Sequence, residues 1–279
     1  MKELTKRISV AVWGIPALLI LSYLGGYYFL ALVLIINIMS LWEFYSIFQN
    51  KETYAYRTFG VISGSLLLLF IFFDALKPAI FVLMFATLIT IFMIQLRPQK
   101  NNPVLNSALT IQGLFYISSF LATLLYFRIH FLEWFPEATI GDPYLGGRFL
   151  IVLWASIWIC DTAAYSGGRK LGKHKLAPNV SPNKTVEGGI FGLVFGIASF
   201  IALGKIFTPV IDFKYLLISG LIVGIFGQIG DLVESRFKRI AGVKDTSNLL
   251  PGHGGFFDRF DSIIFVSPFL LVLFTFFRF

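Results

Sequence analysis

Nine apolar stretches, each close to the roughly 20 helical residues that cross a hydrocarbon core, leave this chain few ways to fold. They run at approximately 8–24, 27–48, 58–74, 78–96, 108–127, 148–166, 186–206, 215–235 and 259–277. A chain of 279 residues that is 57% hydrophobic and holds 32 phenylalanines cannot hide so many long runs in one soluble core. The sequence therefore predicts an all-α, polytopic integral membrane bundle of about nine transmembrane helices. The first stretch follows Lys2, Lys6 and Arg7, as a secretory leader would. No small-residue cleavage pattern comes before Tyr23, however, and Gly25-Gly26 leads straight into the next run, so a retained span is expected.

Lysine and arginine fix the expected orientation. With the N-terminus inside, 17 of the 23 basic residues fall on the cytoplasmic face and six on the other. The two large basic loops are then cytoplasmic, while the segment from His130 to Gly146 and the C-terminal Phe279 lie outside. The net charge of +8 sits in short loops between spans, where lipid headgroups or a phosphorylated substrate suit it, and no nucleic acid is expected as a partner. Cys160, the one cysteine, lies inside an apolar run, which removes a disulfide framework and a cysteine metal site and leaves a small buried hydrophobe. Residues 1–147 are read as an N-terminal bundle of five helices with short, chemically plain loops, a scaffold facing lipid. Residues 148–279 are read as a catalytic region of four helices, with polar residues gathered at helix ends on one face.

Two polar islands interrupt that second region. The later one, Ser235 to Asp261, holds five basic residues, three aspartates and the glycine-flanked His253. Asp258 and Asp261 are three apart at the start of the last predicted helix and share a face. Gly252 and Gly254-Gly255 let backbone approach an anion ahead of a helix N-terminus, and Lys238, Arg239 and Lys244 supply cations. Taken singly, the aspartates could merely complement a helix dipole and the basic residues merely obey the orientation rule. Asp231, near the end of the eighth predicted helix beside Glu234, strengthens the functional reading, because ionisable groups at membrane depth are expensive. Asp231 and Asp258, on helices joined by one loop, would offer oxygen ligands to Mg²⁺, which keeps waters and shares its coordination with phosphates. A structural pairing of Asp231 with Arg236, Arg239 or Arg259 is the plainer alternative.

The earlier island runs from Asp161 to Gly189, with Asp161 slightly more than a turn inside the predicted end of the sixth helix. Gly167 to Lys173 fits G-x-x-x-x-G-K, but His174 stands where Ser or Thr would bind magnesium and a membrane helix precedes it, so a P-loop is rejected. What remains is a basic, glycine-rich loop followed by Ser181, Asn183, Lys184 and Thr185, good donors to phosphate oxygens. Glu43, near the inner end of the second helix, is read as an interfacial carboxylate beside Trp42 in preference to a partner for a site cation. His130, His174 and His253 have no metal-ligand spacing.

The pattern Ser235-x-Phe237-Lys238-Arg239, four residues, Lys244-Asp245-x-Ser247, two residues, Leu250-Pro251-x-His253-Gly254-Gly255-Phe256-x-Asp258-Arg259-Phe260-Asp261 resembles the signature of the phosphatidate cytidylyltransferases, or CDP-diacylglycerol synthases. Asp161-Thr-x-Ala-Tyr-x-x-Gly-Arg with Ser181-Pro-x-Lys-Thr-x-Glu-Gly188 resembles that family's upstream block. The resemblance covers the C-terminal half firmly and the N-terminal helices only by hydropathy and order. It implies condensation of CTP with phosphatidic acid to CDP-diacylglycerol and pyrophosphate, dependence on Mg²⁺ with one or two ions, a cytoplasm-facing pocket open to the bilayer of a prokaryotic cell membrane, membrane lipid as surroundings, and a homodimer. Transferred residue by residue, it implies Asp231 and Asp258 as metal ligands, with Asp261 and Asp161 in support and Asp245 less central. It further implies Lys184, Lys238, Arg239, Lys244 and Arg259 on phosphates, with Ser181, Thr185 and His253 assisting.

The expected chemistry is in-line attack by the lipid phosphate on the α-phosphorus of CTP, with the protein offsetting repulsion between two anions. The rivals are a CTP-dependent lipid-alcohol kinase, which would release CDP and not pyrophosphate, a transporter using Asp161 and Asp231 as a cation path, and a lipid-binding scaffold. The two acids at one membrane face and the lack of paired broken helices disfavour the transporter.

Overall fold

A helix occupies every one of the nine apolar stretches. The computed structural model describes residues 2–49, 53–74, 77–97, 101–136, 142–250, 252 and 254–277. Its helices are α1 (Lys2–Leu24), α2 (Gly26–Ile47), α3 (Arg57–Phe72), α4 (Lys77–Gln95), α5 (Pro103–Gly113), α6 (Ser119–His130), α7 (Leu145–Leu171), α8 (Val186–Phe207), α9 (Phe213–Ile222), α10 (Gln228–Ile240) and α11 (Phe257–Phe276). A π turn, Leu114–Ser118, joins α5 to α6, and another, Val223–Gly227, joins α9 to α10, so each pair forms one continuous rod.

Six rods are long and apolar enough to cross a membrane: Gly26–Ile47, Pro103–Trp134, Leu145–Leu171, Val186–Phe207, Phe213–Ile240 and Phe257–Phe276. Ala11–Leu24, Arg57–Phe72 and Val82–Gln95 are apolar but shorter. The chain is thus an all-α polytopic membrane bundle, with Trp13, Phe92, Phe115 and Ile206 among the large apolar side chains on its outer surface. Lys51, Lys100, His253 and Phe279 lie outside the described residues.

One continuous cluster of buried hydrophobic residues runs from Phe29 on α2 to Phe274 on α11, because α11 packs against α2 and α6 as well as α10. α7 and α8 form the most extensive pair. The reason is a seam of small residues: Gly188, Gly192 and Gly196 recur every fourth position on α8 and face Ala164, Gly168 and Cys160. Such spacing lets membrane helices approach backbone to backbone. A Cβ at Gly188 would lie 2.7 Å from the Ala164 carbonyl oxygen and 3.1 Å from Gly168 Cα.

At one end of the bundle, Arg128 of α6 is buried and donates from Nε to Ser22 O at 3.3 Å and from Nη2 to Tyr23 O at 3.1 Å. Those carbonyls end α1, where helical oxygens lack intrahelical donors and a cation is favoured. Gly25 turns the chain into α2 with φ of 70°, and its missing side chain leaves room for the guanidinium. At the opposite end, the last turns of α2, α7 and α10 and the first turns of α8 and α11 converge, joined by the contacts of Glu43, Lys184 and Arg239 described below. All the polar candidates read from the sequence that the structure describes belong to this end.

Two boundaries differ from expectation. α7 continues through Gly167-Gly168-Arg169-Lys170 to Leu171, which places Asp161 almost three turns from its end and not one. α10 continues to Ile240, so Lys238 and Arg239 are helical and not in a loop. Hydropathy stops where side chains become polar, whereas backbone hydrogen bonding carries the helix on. The earlier island also contains a small antiparallel hairpin, β1 (Lys175–Ala177) with β2 (Ser181–Thr185), where the sequence suggested a plain loop.

Candidate functional site

The hairpin is held onto the helix that follows it. Glu187, in the first turn of α8, accepts from the amides of Lys173 at 3.0 Å and His174 at 3.2 Å, and its Oε1 lies 2.6 Å from His174 Nδ1. Thr185 caps α8 by accepting the Gly188 amide at 3.1 Å, the role expected of a threonine in extended conformation just before a helix. The anchored hairpin presents Lys184, whose Nζ lies 2.6 Å from Asp231 Oδ2 on α10. Ser181 is half-buried on the same strand.

Asp231 is one corner of a carboxylate cluster. Asp231, Glu234 and Asp261 each bring an oxygen within 4.8 Å of the other two. Asp231 and Glu234 are three apart on α10 and so share a face, and Asp261 comes from the second turn of α11. Ser235 donates to Asp231 Oδ1 at 3.3 Å, and the Ser262 amide donates to Asp261 Oδ1 at 2.7 Å. Glu234 Oε2 pairs with Lys238 Nζ at 2.6 Å, but Glu234 Oε1 is buried with no hydrogen-bond donor. An orphaned carboxylate oxygen beside two further carboxylates is an oxygen donor set that suits a divalent cation. Asp231, Glu234 and Asp261 are the residues that would hold one.

Asp258 is placed differently. Its Oδ1 pairs with Lys238 Nζ at 2.8 Å, and its Oδ2 accepts from the Gly255 amide at 2.7 Å, the Thr246 amide at 3.0 Å and Thr246 Oγ1 at 3.0 Å. Through these bonds the carboxylate fastens the loop between α10 and α11 and fixes Lys238. Asp258 and Asp261, three apart on α11, line one cavity, the first holding Lys238 and the loop and the second joining the triad.

Two cavities meet at Asp161 and Asp231. One, of about 510 Å³, is walled by Tyr165, Gly168, Arg169, Asn183, Lys184, Thr185 and Gln228 as well as by those two aspartates. The other, of about 360 Å³, is walled by Trp154, Trp158, Glu234, Lys238, Asp245, Asp258, Arg259 and Asp261 together with them. Gln228 donates to Gly189 O at 3.0 Å and Gly224 O at 2.6 Å, which leaves its carbonyl oxygen as the group offered to the first cavity. A third, largely apolar hollow of about 560 Å³ runs between α7 and α8, bounded by Trp158, Ala163, Phe191 and Phe195 with Lys170 toward its polar end. Trp158 separates it from the acidic cavity.

Arg239 donates to Val180 O at 3.2 Å and Val243 O at 3.3 Å, so it ties the hairpin to the end of α10. Lys244 is exposed and lines neither polar cavity. His253 lies outside the described residues.

The residue that sequence reasoning missed is Glu43. It is 4% exposed, and it accepts Thr246 Oγ1 at 2.9 Å, Ser247 Oγ at 2.6 Å, the Phe256 amide at 3.0 Å and the Phe257 amide at 2.8 Å. The start of α11 has no side-chain cap of its own. A carboxylate from α2, more than 200 residues away, satisfies its first amides instead. The available signal was an acid one turn from the end of a membrane helix without a basic neighbour.

A protein-family model described as the cytidylyltransferase family matches residues 5–277. Among curated proteins, the chain is similar to the phosphatidate cytidylyltransferase of Staphylococcus haemolyticus, 45% identical over 153 residues, and to that of Staphylococcus saprophyticus, 45% identical over 157 residues. It is also similar to that of Staphylococcus aureus strain COL, 44% identical over 155 residues. In each case the match covers 55% of this chain and 57% of the relative, so the chain spans little more than half the length of the curated relatives it matches.

Proposed function

This chain belongs to the cytidylyltransferase family, and we propose that it transfers the cytidylyl group of CTP to phosphatidate, forming CDP-diacylglycerol and pyrophosphate at the face of the bundle where α7, α10 and α11 converge. The observation that carries the reading is the meeting of two polar cavities on Asp161 and Asp231, with Lys184 on the wall of one and Lys238 and the rest of the carboxylate triad on the wall of the other. A nucleotide and a lipid phosphate can each occupy one cavity and meet between them. The apolar hollow behind Trp158 gives an acyl chain a path to the same point.

Both substrates are anions, so the main barrier the protein must lower is their mutual repulsion. Lys184, Arg169, Lys238 and Arg259 supply positive charge along the two cavities, and their fixed placement stabilises charge on the transferring phosphoryl oxygens without reorganisation. The phosphatidate oxygen is already ionised at neutral pH, so attack on the α-phosphorus needs alignment and not a strong base. A divalent cation, Mg²⁺ in this proposal, would be held by Asp231, Glu234 and Asp261 and would neutralise phosphate charge when bound. Asp258, Thr185 and Arg239 hold the surrounding backbone, whereas Asp161 faces both cavities. The N-terminus and the site are assigned to the cytoplasm, where CTP is dissolved, and a homodimer in the prokaryotic cell membrane is the expected assembly.

The test is purified protein with CTP labelled in its cytosine, phosphatidate and Mg²⁺. Label should enter the lipid and pyrophosphate should be released in equal amount. Release of CDP with transfer of the γ-phosphoryl group would identify a kinase and overturn the proposal.

A further inference from the structure

A chain of hydrogen bonds runs from the N-terminal half of the molecule to the carboxylate triad. Glu43 Oε2 is 2.9 Å from Thr246 Oγ1, Thr246 Oγ1 and its amide are each 3.0 Å from Asp258 Oδ2, Asp258 Oδ1 is 2.8 Å from Lys238 Nζ, and Lys238 Nζ is 2.6 Å from Glu234 Oε2. Every link is buried or half-buried: Glu234 is 1% exposed, Asp258 4% and Lys238 12% by side chain. The other oxygen of Glu234 is the one without a hydrogen-bond partner, and the residue is a member of the triad.

We infer that Glu43 is a positioning residue for the metal-binding triad, acting through Thr246, Asp258 and Lys238. The physical reason is the number of donors it collects. Four N–H or O–H groups converge on one carboxylate, from two segments, residues 246–247 and 256–257. The carboxylate also sits at the N-terminal end of α11, where the first amides have no intrahelical acceptor. The one hydrogen of the Thr246 hydroxyl lies between the two carboxylates, and fixing that residue orients its amide, which Asp258 Oδ2 accepts, while Asp258 in turn fixes Lys238 between two acids. Without Lys238 in that place, Glu234 is free to rotate its buried oxygens. α2, in the region that sequence analysis treated as scaffold, thereby sets the geometry of a site it does not touch.

This inference rests on the metal role proposed for Asp231, Glu234 and Asp261, and its test reads metal binding directly. Mn²⁺ serves as the probe, its dissociation constant measured by electron paramagnetic resonance on the full chain in detergent, without substrates. Glu43→Gln places an amide against N–H donors and should weaken Mn²⁺ binding about tenfold or more, the usual loss when an outer partner of a metal site is removed. Thr246→Val, which deletes only the hydroxyl link, should give a similar loss while leaving the N-terminal amides of α11 capped. Thr246→Ser should restore binding.

The double variant should bind Mn²⁺ no more weakly than the worse single one, because both changes cut one path. Losses that multiply in the double variant, or unchanged Mn²⁺ affinity in a folded Glu43→Gln or Thr246→Val protein, would overturn the inference. Wild-type protein that binds Mn²⁺ in an Asp231-dependent way yet transfers no cytidylyl group would refute the proposed reaction and leave the positioning role standing. Wild-type protein that binds no Mn²⁺ would refute the metal role and this inference with it.

Discussion

Lys184 Nζ lies 2.6 Å from Asp231 Oδ2, and this ion pair is the one direct salt bridge between the hairpin and α10 among the described residues. It joins a group proposed to hold phosphate to a group proposed to hold a cation. Lys184→Met should lower turnover about 100-fold or more, the range for removing one preorganised charge from a transition state. Steady-state kinetics in mixed micelles check this, with the larger part of the loss expected in kcat.

Asp231→Asn and Asp258→Asn should fail in different ways. Asp231→Asn removes a cation ligand, so activity should fall about 100-fold or more while the unfolding midpoint changes little. Asp258→Asn takes from Lys238 one of its two buried acidic partners, leaving Glu234, and turns an amide toward the Gly255 and Thr246 N–H groups. Breaking a buried pair from one side costs about 3 kcal/mol, so this variant should unfold at clearly lower denaturant concentration. Parallel activity and denaturation curves separate the two outcomes.

Chelation of divalent cations should abolish transfer, and Mg²⁺ or Mn²⁺ added back should restore it. Protection against thermal unfolding by Mn²⁺ should disappear in Asp261→Asn, because that residue supplies the third carboxylate of the cluster.

Gly188→Val should disrupt the site from a distance. Even its Cβ would sit 2.7 Å from the Ala164 carbonyl oxygen, and overpacking of this kind costs about 1–3 kcal/mol. α7 and α8 would have to part where they carry Asp161 and the capped hairpin. Reduced stability together with lost activity is expected, whereas Val at Gly14, where nothing lies within 4 Å, should leave both near wild type.

Filling the hollow between α7 and α8 should act on the lipid alone. Ala163→Trp is expected to raise the KM for long-chain phosphatidate several-fold with the KM for CTP unchanged, and a short-chain phosphatidate should be affected less. Equal changes in both KM values would remove this hollow from the lipid path.

The helices were readable because membrane length and hydropathy are local properties of each stretch. Their ends were not: Arg169, Lys170, Lys238 and Arg239 look like loop residues by polarity, yet the backbone stays helical through them. Asp231, Asp261 and Lys184 could be picked out as rare polar groups near apolar spans, and the structure gathers the other two around Asp231. Glu234 was visible only as a companion of Asp231, although the spacing of three on one helix already put both on one face. The backbone contacts of Asp258 and the role of Glu43 resisted because they depend on which amides a loop brings to them, a matter of tertiary path that no spacing encodes. The hairpin resisted for a similar reason, since its short polar strands owe their position to Glu187 and Thr185.

The π turn at Val223–Gly227 sets the angular phase of everything that follows it on α10. Such a turn accommodates one residue more than an α-helix would, and each residue contributes a rotation of about 100°. Ser219 and Gly220 face the packed interior before it, while Asp231 and Glu234 face α11 and the hairpin after it. If residues 223–227 wound as a regular α-helix with no residue removed, the extra residue would carry both acids roughly a quarter turn around the rod, away from Asp261. The composition of the span would be unchanged, so hydropathy cannot register this constraint: the site depends on how these five residues wind, not merely on a run long enough to cross.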